Sequence, residues 1–109
     1  MFIDDEERLK HMLDASQKAY AFCKNKRRED LENDEMFLFA LIYAIEIIGE
    51  AANNITPKFK SEHDTIEWRD IISMRNRLVH GYFNIDKNIL WDTVMIYLPS
   101  LIEKLQKLV

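Results

Sequence analysis

Glycine and proline are almost absent from this chain, which has two of each in 109 residues. Hairpins and tight turns need such residues at fixed positions, so a chain this poor in them favours long helices with few connections. Hydrophobic residues make up 48% and charged residues 31%, which predicts a packed core rather than a disordered chain. We therefore expect an all-α fold in a single domain, residues 1–109, which is short enough to gain from burying a face against a second copy.

The apolar periodicity of the first half predicts two long helices. The first should begin at Asp4, which matches a capping box with Glu7, and should end at the basic run 24–28. Its apolar stripe is Leu9, Met12, Leu13, Ser16, Ala19, Tyr20 and Cys23. The acidic stretch 29–35 is expected to be a connection, with Asn33 or Asp34 as the N-cap of the next helix. The second helix should span 35–54, and it is apolar on most sides, which predicts a central position.

The second half predicts two more helices. Residues 57–64 should form a loop with at most one short turn, after which Thr65 is a plausible N-cap for the third helix. The fourth should follow Asp86, and Pro99 should kink it or split it in two. Short connections make neighbouring helices antiparallel, so the expected architecture is an antiparallel four-helix bundle.

Charge and cysteine content restrict the function classes. The net charge of −4 argues against broad electrostatic binding to nucleic acid, so we expect no DNA partner. Cys23 is the single cysteine, which excludes an intramolecular disulfide and fits a cytoplasmic protein. The apolar stretch 36–48 contains Glu46 and is too short to span a bilayer, and the N-terminus does not read as a signal peptide, so no membrane partner is expected.

The segment 68–82 concentrates the side chains that carry chemistry: Arg75, Asn76, His80 and Tyr82. On a helix, Asn76 and His80 share one face, and Arg75 and Tyr82 share the adjacent one if the helix continues. RNA can be cleaved without a metal by such a set, since its own 2′-hydroxyl is the nucleophile. A histidine then transfers the proton, and an arginine neutralises the phosphate in the transition state.

The residues alone leave a structural alternative open, because a lone histidine on a helix is usually structural. No metal cluster is visible, since His11, His63 and His80 are scattered and no metal-binding spacing occurs, and no cofactor is expected. The run 24–28 could contact an RNA backbone or be a solvated helix end.

The stretch from Arg75 to Tyr82 resembles the Arg-x4-His-x-Tyr motif of HepT-type proteins in the HEPN superfamily. Its flanks agree with the family: Ile48-Gly49-Glu50-Ala51-Ala52, Trp68-Arg69 and Phe83-Asn84-Ile85-Asp86. The resemblance covers residues 37–105.

This resemblance implies a HEPN-like homodimer and a metal-independent endoribonuclease. It further implies the toxin component of a toxin–antitoxin system, with tRNA as the expected substrate. Arg75 and His80 carry over as the catalytic pair, and Asn76 as the assisting polar residue. The cognate antitoxin would be an MntA-like nucleotidyltransferase that neutralises the toxin by AMPylation of Tyr82.

Two supporting features and two alternative functions stay open. Gly49 lowers helix propensity, which suggests that something approaches it closely. Glu50 could hold Arg75 or Arg69 near the site, or it could be a rim carboxylate. The chain could also be a non-catalytic HEPN subunit that binds a nucleotide or a nucleotidyltransferase partner, which its acidic charge favours. A purely structural dimer is disfavoured by the clustered polar motif.

Overall fold

The computed structural model describes residues 4–80 and 84–109, without the side chains of residues 79 and 80. Within these ranges the regular elements are helical and none is a strand, so the predicted all-α class is confirmed. The elements in chain order are α1 (Asp5–Phe22), α2 (Asp30–Asn33), α3 (Glu35–Asn54), α4 (Pro57–Glu62), α5 (Trp68–His80), α6 (Lys87–Asp92), a π-helical turn (Thr93–Tyr97) and α7 (Leu98–Leu108).

Helix α1 begins and ends on local signals. The Asp4 side chain accepts a hydrogen bond from the backbone N–H of Glu7 at 2.9 Å, so Asp4 is the N-cap that the sequence predicts. After the helix, Asn25 has a φ of 64°, a left-handed conformation that cannot continue a right-handed helix. The predicted buried stripe needs one correction: Tyr20 is 44% exposed, whereas Ala15, five residues earlier, is buried.

Helix α3 has the predicted bounds and the predicted central position. The Asp34 side chain caps it by accepting from the Phe37 N–H at 3.1 Å. The helix packs against both α1 and α5, while α1 also packs against α7. The connection before α3 is not fully irregular as expected, since residues 30–33 form the single turn α2 around the buried Leu31.

The segment between α3 and α5 corrects two predictions. Thr56 is a cap for α4, accepting from the Phe59 N–H at 3.3 Å, so residues 57–62 are helical rather than a loop. Thr65 is not the N-cap of the third long helix, because α5 begins at Trp68. The reason is the buried Ile66: its N–H bonds to the His63 carbonyl in a turn, which holds this stretch out of helical geometry.

The last helical stretch, which comprises α6, the π-helical turn and α7, is interrupted upstream of Pro99. Asp86 caps α6 as predicted, accepting from the backbone N–H groups of Asn88 and Ile89. The π-helical turn Thr93–Tyr97 then precedes α7, which has Pro99 in its first turn. Proline has no N–H for the carbonyl four residues earlier, that of Met95, so regular α-helical bonding cannot pass through this turn unchanged.

One cluster of buried side chains joins these helices. Its fully buried members include Leu9, Leu41, Leu90 and Leu105, from α1, α3, α6 and α7 respectively. Within the described ranges, none of the helices is both long enough and apolar enough to cross a membrane.

Candidate active site

The centre of the site is a close approach of α5 to α3. A Cβ atom added at Gly49 would overlap the Cβ and Cγ atoms of Arg75 and lie 3.2 Å from its Cδ. The side chain of Arg75 therefore lies directly across the backbone of α3, in space that a residue with a Cβ would fill. The close approach that the sequence suggests for Gly49 is confirmed, and Arg75 is the residue that makes it.

Both ends of the Arg75 guanidinium are held. Nη2 donates to Oε2 of Glu50 in an ion pair, and Nη1 donates to Oδ1 of Asn76 at 2.7 Å. The side chain of Arg75 is 20% exposed, against 56% for Glu50, so the cation is largely desolvated while the carboxylate faces solvent. The Nε of Arg75 is buried and makes no hydrogen bond within the described part of the chain.

The bond from Arg75 determines how the Asn76 amide is oriented. Because an arginine donates only, the Asn76 atom that it contacts must be the carbonyl oxygen. The Nδ2 of Asn76 is then turned away from Arg75, and Asn76 is exposed. The site thus presents an N–H donor to solvent, backed by the guanidinium.

A second set of contacts holds the start of α5 against the last helical stretch. The Tyr97 hydroxyl donates to Oε2 of Glu67 at 2.6 Å, and the Lys104 ammonium donates to Oε1 at 3.0 Å. These two hydrogen bonds lower the pKa of Glu67, while burial raises the pKa of Tyr97. Sequence reasoning missed this set, since residues 30 and 37 positions apart carry no periodic signal.

The opposite flank of α5 borders an apolar cavity of about 410 Å³. Asp70, Ile71 and Met74 line it from α5, together with side chains of α3 and of the last helical stretch. Asn76 does not line it, so the cavity and the polar site occupy different sides of the same helix. Among the described side chains, no group of three or more metal-ligating residues comes together.

The predicted site residues divide into those that the structure describes and those that it does not. Arg75, Asn76 and Glu50 are brought together as above, and Glu50 pairs with Arg75 rather than with Arg69. His80 is the last residue of α5, and its side chain lies outside the described part. Tyr82, the predicted AMPylation site, also lies outside the described residues.

The helical fold and the motif on α5 define a class of protein. The chain belongs to the ribonuclease HepT-like family, whose model matches residues 12–108. The resemblance drawn from the motif is therefore confirmed, and with it the class of enzyme, a ribonuclease.

Three relatives illustrate the match. A Thermococcus cleftensis protein named "Probable ribonuclease HepT" is 48% identical over 80 residues, which is 73% of each chain. A "Putative RNase" of Caldanaerobacter subterraneus subsp. tengcongensis is 30% identical over 100 residues, or 92% of this chain and 89% of the relative. A "Putative RNase" of Methanocaldococcus jannaschii is 32% identical over 90 residues, or 83% of each. No solved structure gives a significant match.

The packing of Arg75 on Gly49 predicts that replacing this glycine by alanine destabilises the protein, which is the opposite of the usual effect. In a helix interior, Gly→Ala normally stabilises by about 1 kcal/mol. Gly49→Ala should instead lower the free energy of unfolding by about 1–3 kcal/mol, since the added methyl overlaps Arg75. Urea denaturation measures it, with Asn53→Ala, at an exposed position of the same helix, as the control that should not destabilise. A Gly49→Ala variant as stable as the parent would contradict the packing.

Proposed function

We propose that this protein is a metal-independent endoribonuclease with Arg75 and His80 as its catalytic pair and Asn76 as an assisting donor. The observation that carries the proposal is the fixed guanidinium of Arg75, held by Glu50 and Asn76 within the motif of a ribonuclease family. The buried Nε of Arg75, which has no hydrogen-bond partner within the described residues, supports it as well, because it leaves a donor available to a ligand.

The proposed reaction uses the substrate's own nucleophile. The 2′-oxygen of the RNA attacks the adjacent phosphorus, the bond from phosphorus to the 5′-oxygen breaks, and a 2′,3′-cyclic phosphate results. His80 makes one of the two proton transfers, from the 2′-hydroxyl or to the leaving 5′-oxygen, and solvent water makes the other, as is usual where a histidine is the general acid or base. Arg75 and the outward Nδ2 of Asn76 stabilise the negative charge that grows on the phosphoryl oxygens.

A cleavage assay in the presence of a chelator tests this proposal. The purified protein should cut RNA in excess EDTA at the rate seen without it, and the products should carry 2′,3′-cyclic phosphate ends. Loss of activity in EDTA that a divalent cation restores would contradict the metal-independent mechanism. Binding of RNA or a nucleotide without any cleavage would favour the alternative, a non-catalytic binding subunit, which the compensation of Arg75 by Glu50 also favours.

The proposal includes a homodimer in which the two copies of α5 place both Arg75/His80 pairs around one cleft. An exposed apolar row on α3 supports it: Met36 is 83%, Phe39 61% and Tyr43 64% exposed, at spacings of three and four residues that share a helix face. Seven residues beyond Tyr43, on the same face, lies Glu50, the partner of Arg75. A second copy that covers this row therefore comes close to the site.

Phe39→Glu should shift the protein from dimer to monomer, because a charge buried in an apolar interface is strongly disfavoured. Light scattering after size-exclusion chromatography measures the mass. Ile96→Glu is the matched control, since Ile96 is 71% exposed but lies on the π-helical turn. A Phe39→Glu variant that keeps the parent's dimer mass would contradict an interface on this row.

The biological role that we propose is that of a toxin in a toxin–antitoxin pair, with tRNA as its substrate. Its antitoxin is an MntA-like nucleotidyltransferase that adds AMP to Tyr82. The proposal rests on membership of the HepT-like family and on the presence of Tyr82 at the motif position.

A further inference from the structure

The ion pair at the site leaves no uncompensated positive charge for the phosphate of the substrate. Arg75 is the cation nearest to Asn76, but its charge is already compensated by the carboxylate of Glu50. An incoming phosphodiester adds a negative charge to that pair. Binding the RNA backbone beside Asn76 therefore calls for a further positive side chain close by.

Helix α5 supplies two such side chains. Arg69 and Arg77 are both exposed, and within the described residues neither forms an ion pair. At about 100° per residue, Arg69, Ser73 and Asn76 fall within an arc of about 60°, and adding Arg77 widens it to about 100°. These four exposed residues form the α5 polar face, which is named so below.

The dimensions of the α5 polar face suit an extended strand. Arg69 and Arg77 are eight residues apart, which is about 12 Å along the helix axis. Asn76 and the backbone position of His80 lie within the same arc, so the proposed catalytic position is beside this face rather than across the helix from it.

One acidic residue borders this face. Asp70, the single acidic residue of α5, is about 20° from Arg77 around the helix and also lines the apolar cavity, whereas Arg69, Ser73 and Asn76 are about 60–120° away from it. The position of Arg69 is also hard to explain by helix stability, because it lies in the first turn of α5, where the helix dipole disfavours a cation. Its placement is explained if the side chain binds an anion from outside the helix.

We infer that a single strand of RNA runs along the α5 polar face, with Arg69 and Arg77 each binding a phosphate of the strand whose reacting phosphate lies beside Asn76. Ser73, exposed between them, donates its hydroxyl to the same backbone. This inference rests on the proposed ribonuclease function and adds to it the path of the substrate. The contacts are to phosphates, so they position the strand and carry no base specificity.

Binding of a non-cleavable probe tests the path. A short fluorescein-labelled 2′-O-methyl oligouridylate should bind the parent protein, and Arg69→Gln and Arg77→Gln should each weaken binding about tenfold at low salt. Each variant should also reduce the slope of log K against log salt by about 0.7, the value for one phosphate contact on a single strand. In cleavage assays, both should raise KM far more than they lower kcat.

Two comparisons make the test specific. Arg69→Lys should retain most of the binding, because it keeps the charge. Arg27→Gln, at an exposed arginine of the run 24–28, should bind like the parent. The inference is overturned if Arg69→Gln and Arg77→Gln bind the probe like the parent. It is also overturned if Arg27→Gln loses as much affinity as they do, because the probe would then be attracted by positive charge anywhere on the surface.

The outcomes separate this inference from the proposed function. Cleavage that is unaffected by Arg69→Gln and Arg77→Gln overturns the path and leaves the ribonuclease standing. Probe binding that depends on both arginines, with no RNA cleaved, supports the path and contradicts the ribonuclease. A parent protein that neither binds the probe nor cuts RNA overturns both.

Discussion

His80→Ala is expected to slow RNA cleavage by about 10²–10⁴-fold while the helical fold stays intact, because it removes the proton-transfer group of the reaction. The rate of cleavage of a labelled RNA measures the effect, with circular dichroism as the check on folding. His11→Ala is the matched control. His11 is exposed on α1, so this variant should cleave RNA at the parent's rate. Normal cleavage by His80→Ala would remove this residue from the mechanism.

Arg75→Lys is also expected to impair RNA cleavage severely. The guanidinium donates to Glu50 through one terminal nitrogen and to Asn76 through the other, in two directions fixed by its planar fork. A lysine ammonium keeps the charge but cannot present that fork to a phosphate and two protein partners. Activity should therefore fall severely although the charge is conserved. A fully active Arg75→Lys variant would show that charge alone is enough.

Coexpression with a cognate nucleotidyltransferase is expected to add AMP to Tyr82 and to silence the ribonuclease completely. Tyr82 is seven residues past Arg75, close to it along the chain. A transferred AMP would bring a phosphate to the cation that is meant to receive the RNA, and it would compete with Glu50 for Arg75, by the kind of charge pairing that phosphorylation uses. Intact-mass measurement should show increments in multiples of AMP.

Other tyrosines provide the controls for this modification. Tyr20 and Tyr43 are 44% and 64% exposed, so accessibility alone would make them acceptors. Tyr43→Phe should still be modified and silenced, whereas Tyr82→Phe should stay toxic and gain no AMP. An AMP increment that persists in Tyr82→Phe would mean that another residue is the acceptor. Neutralisation without any increment would mean that the partner acts by covering the site.

The features that the sequence predicts well are those fixed by neighbouring residues. Capping by Asp4, Asp34 and Asp86 uses side chains within three residues of the N–H groups that they accept from, and the bounds of α3 follow from its caps and apolar faces. The low helix propensity of glycine on an otherwise apolar helix also predicts the close approach at Gly49. The antiparallel bundle and a kink at Pro99 stay predictions.

The features that the sequence does not predict depend on distant residues. The start of α5 is displaced from Thr65 to Trp68 because Ile66 is buried, and burial is a property of the whole core. The partner of Gly49 is 26 positions away, at residue 75, so no local pattern identifies it. Glu50 pairs with Arg75 rather than with Arg69 because of how α5 packs on α3, and the residue spacing along one helix does not determine this packing.

The docking of Arg75 over Gly49 has a consequence for comparing genomes. A motif of one arginine and one histidine five residues apart is short enough to occur by chance on unrelated helices. The surface that Arg75 packs on belongs to another helix, and a Cβ atom added at Gly49 would overlap the arginine side chain. A gene copy that keeps the motif but has acquired a bulky residue at the position of Gly49 cannot hold its arginine in the same place. A glycine at this position is therefore a second requirement, beside the motif, for a relative to hold its arginine as this chain does.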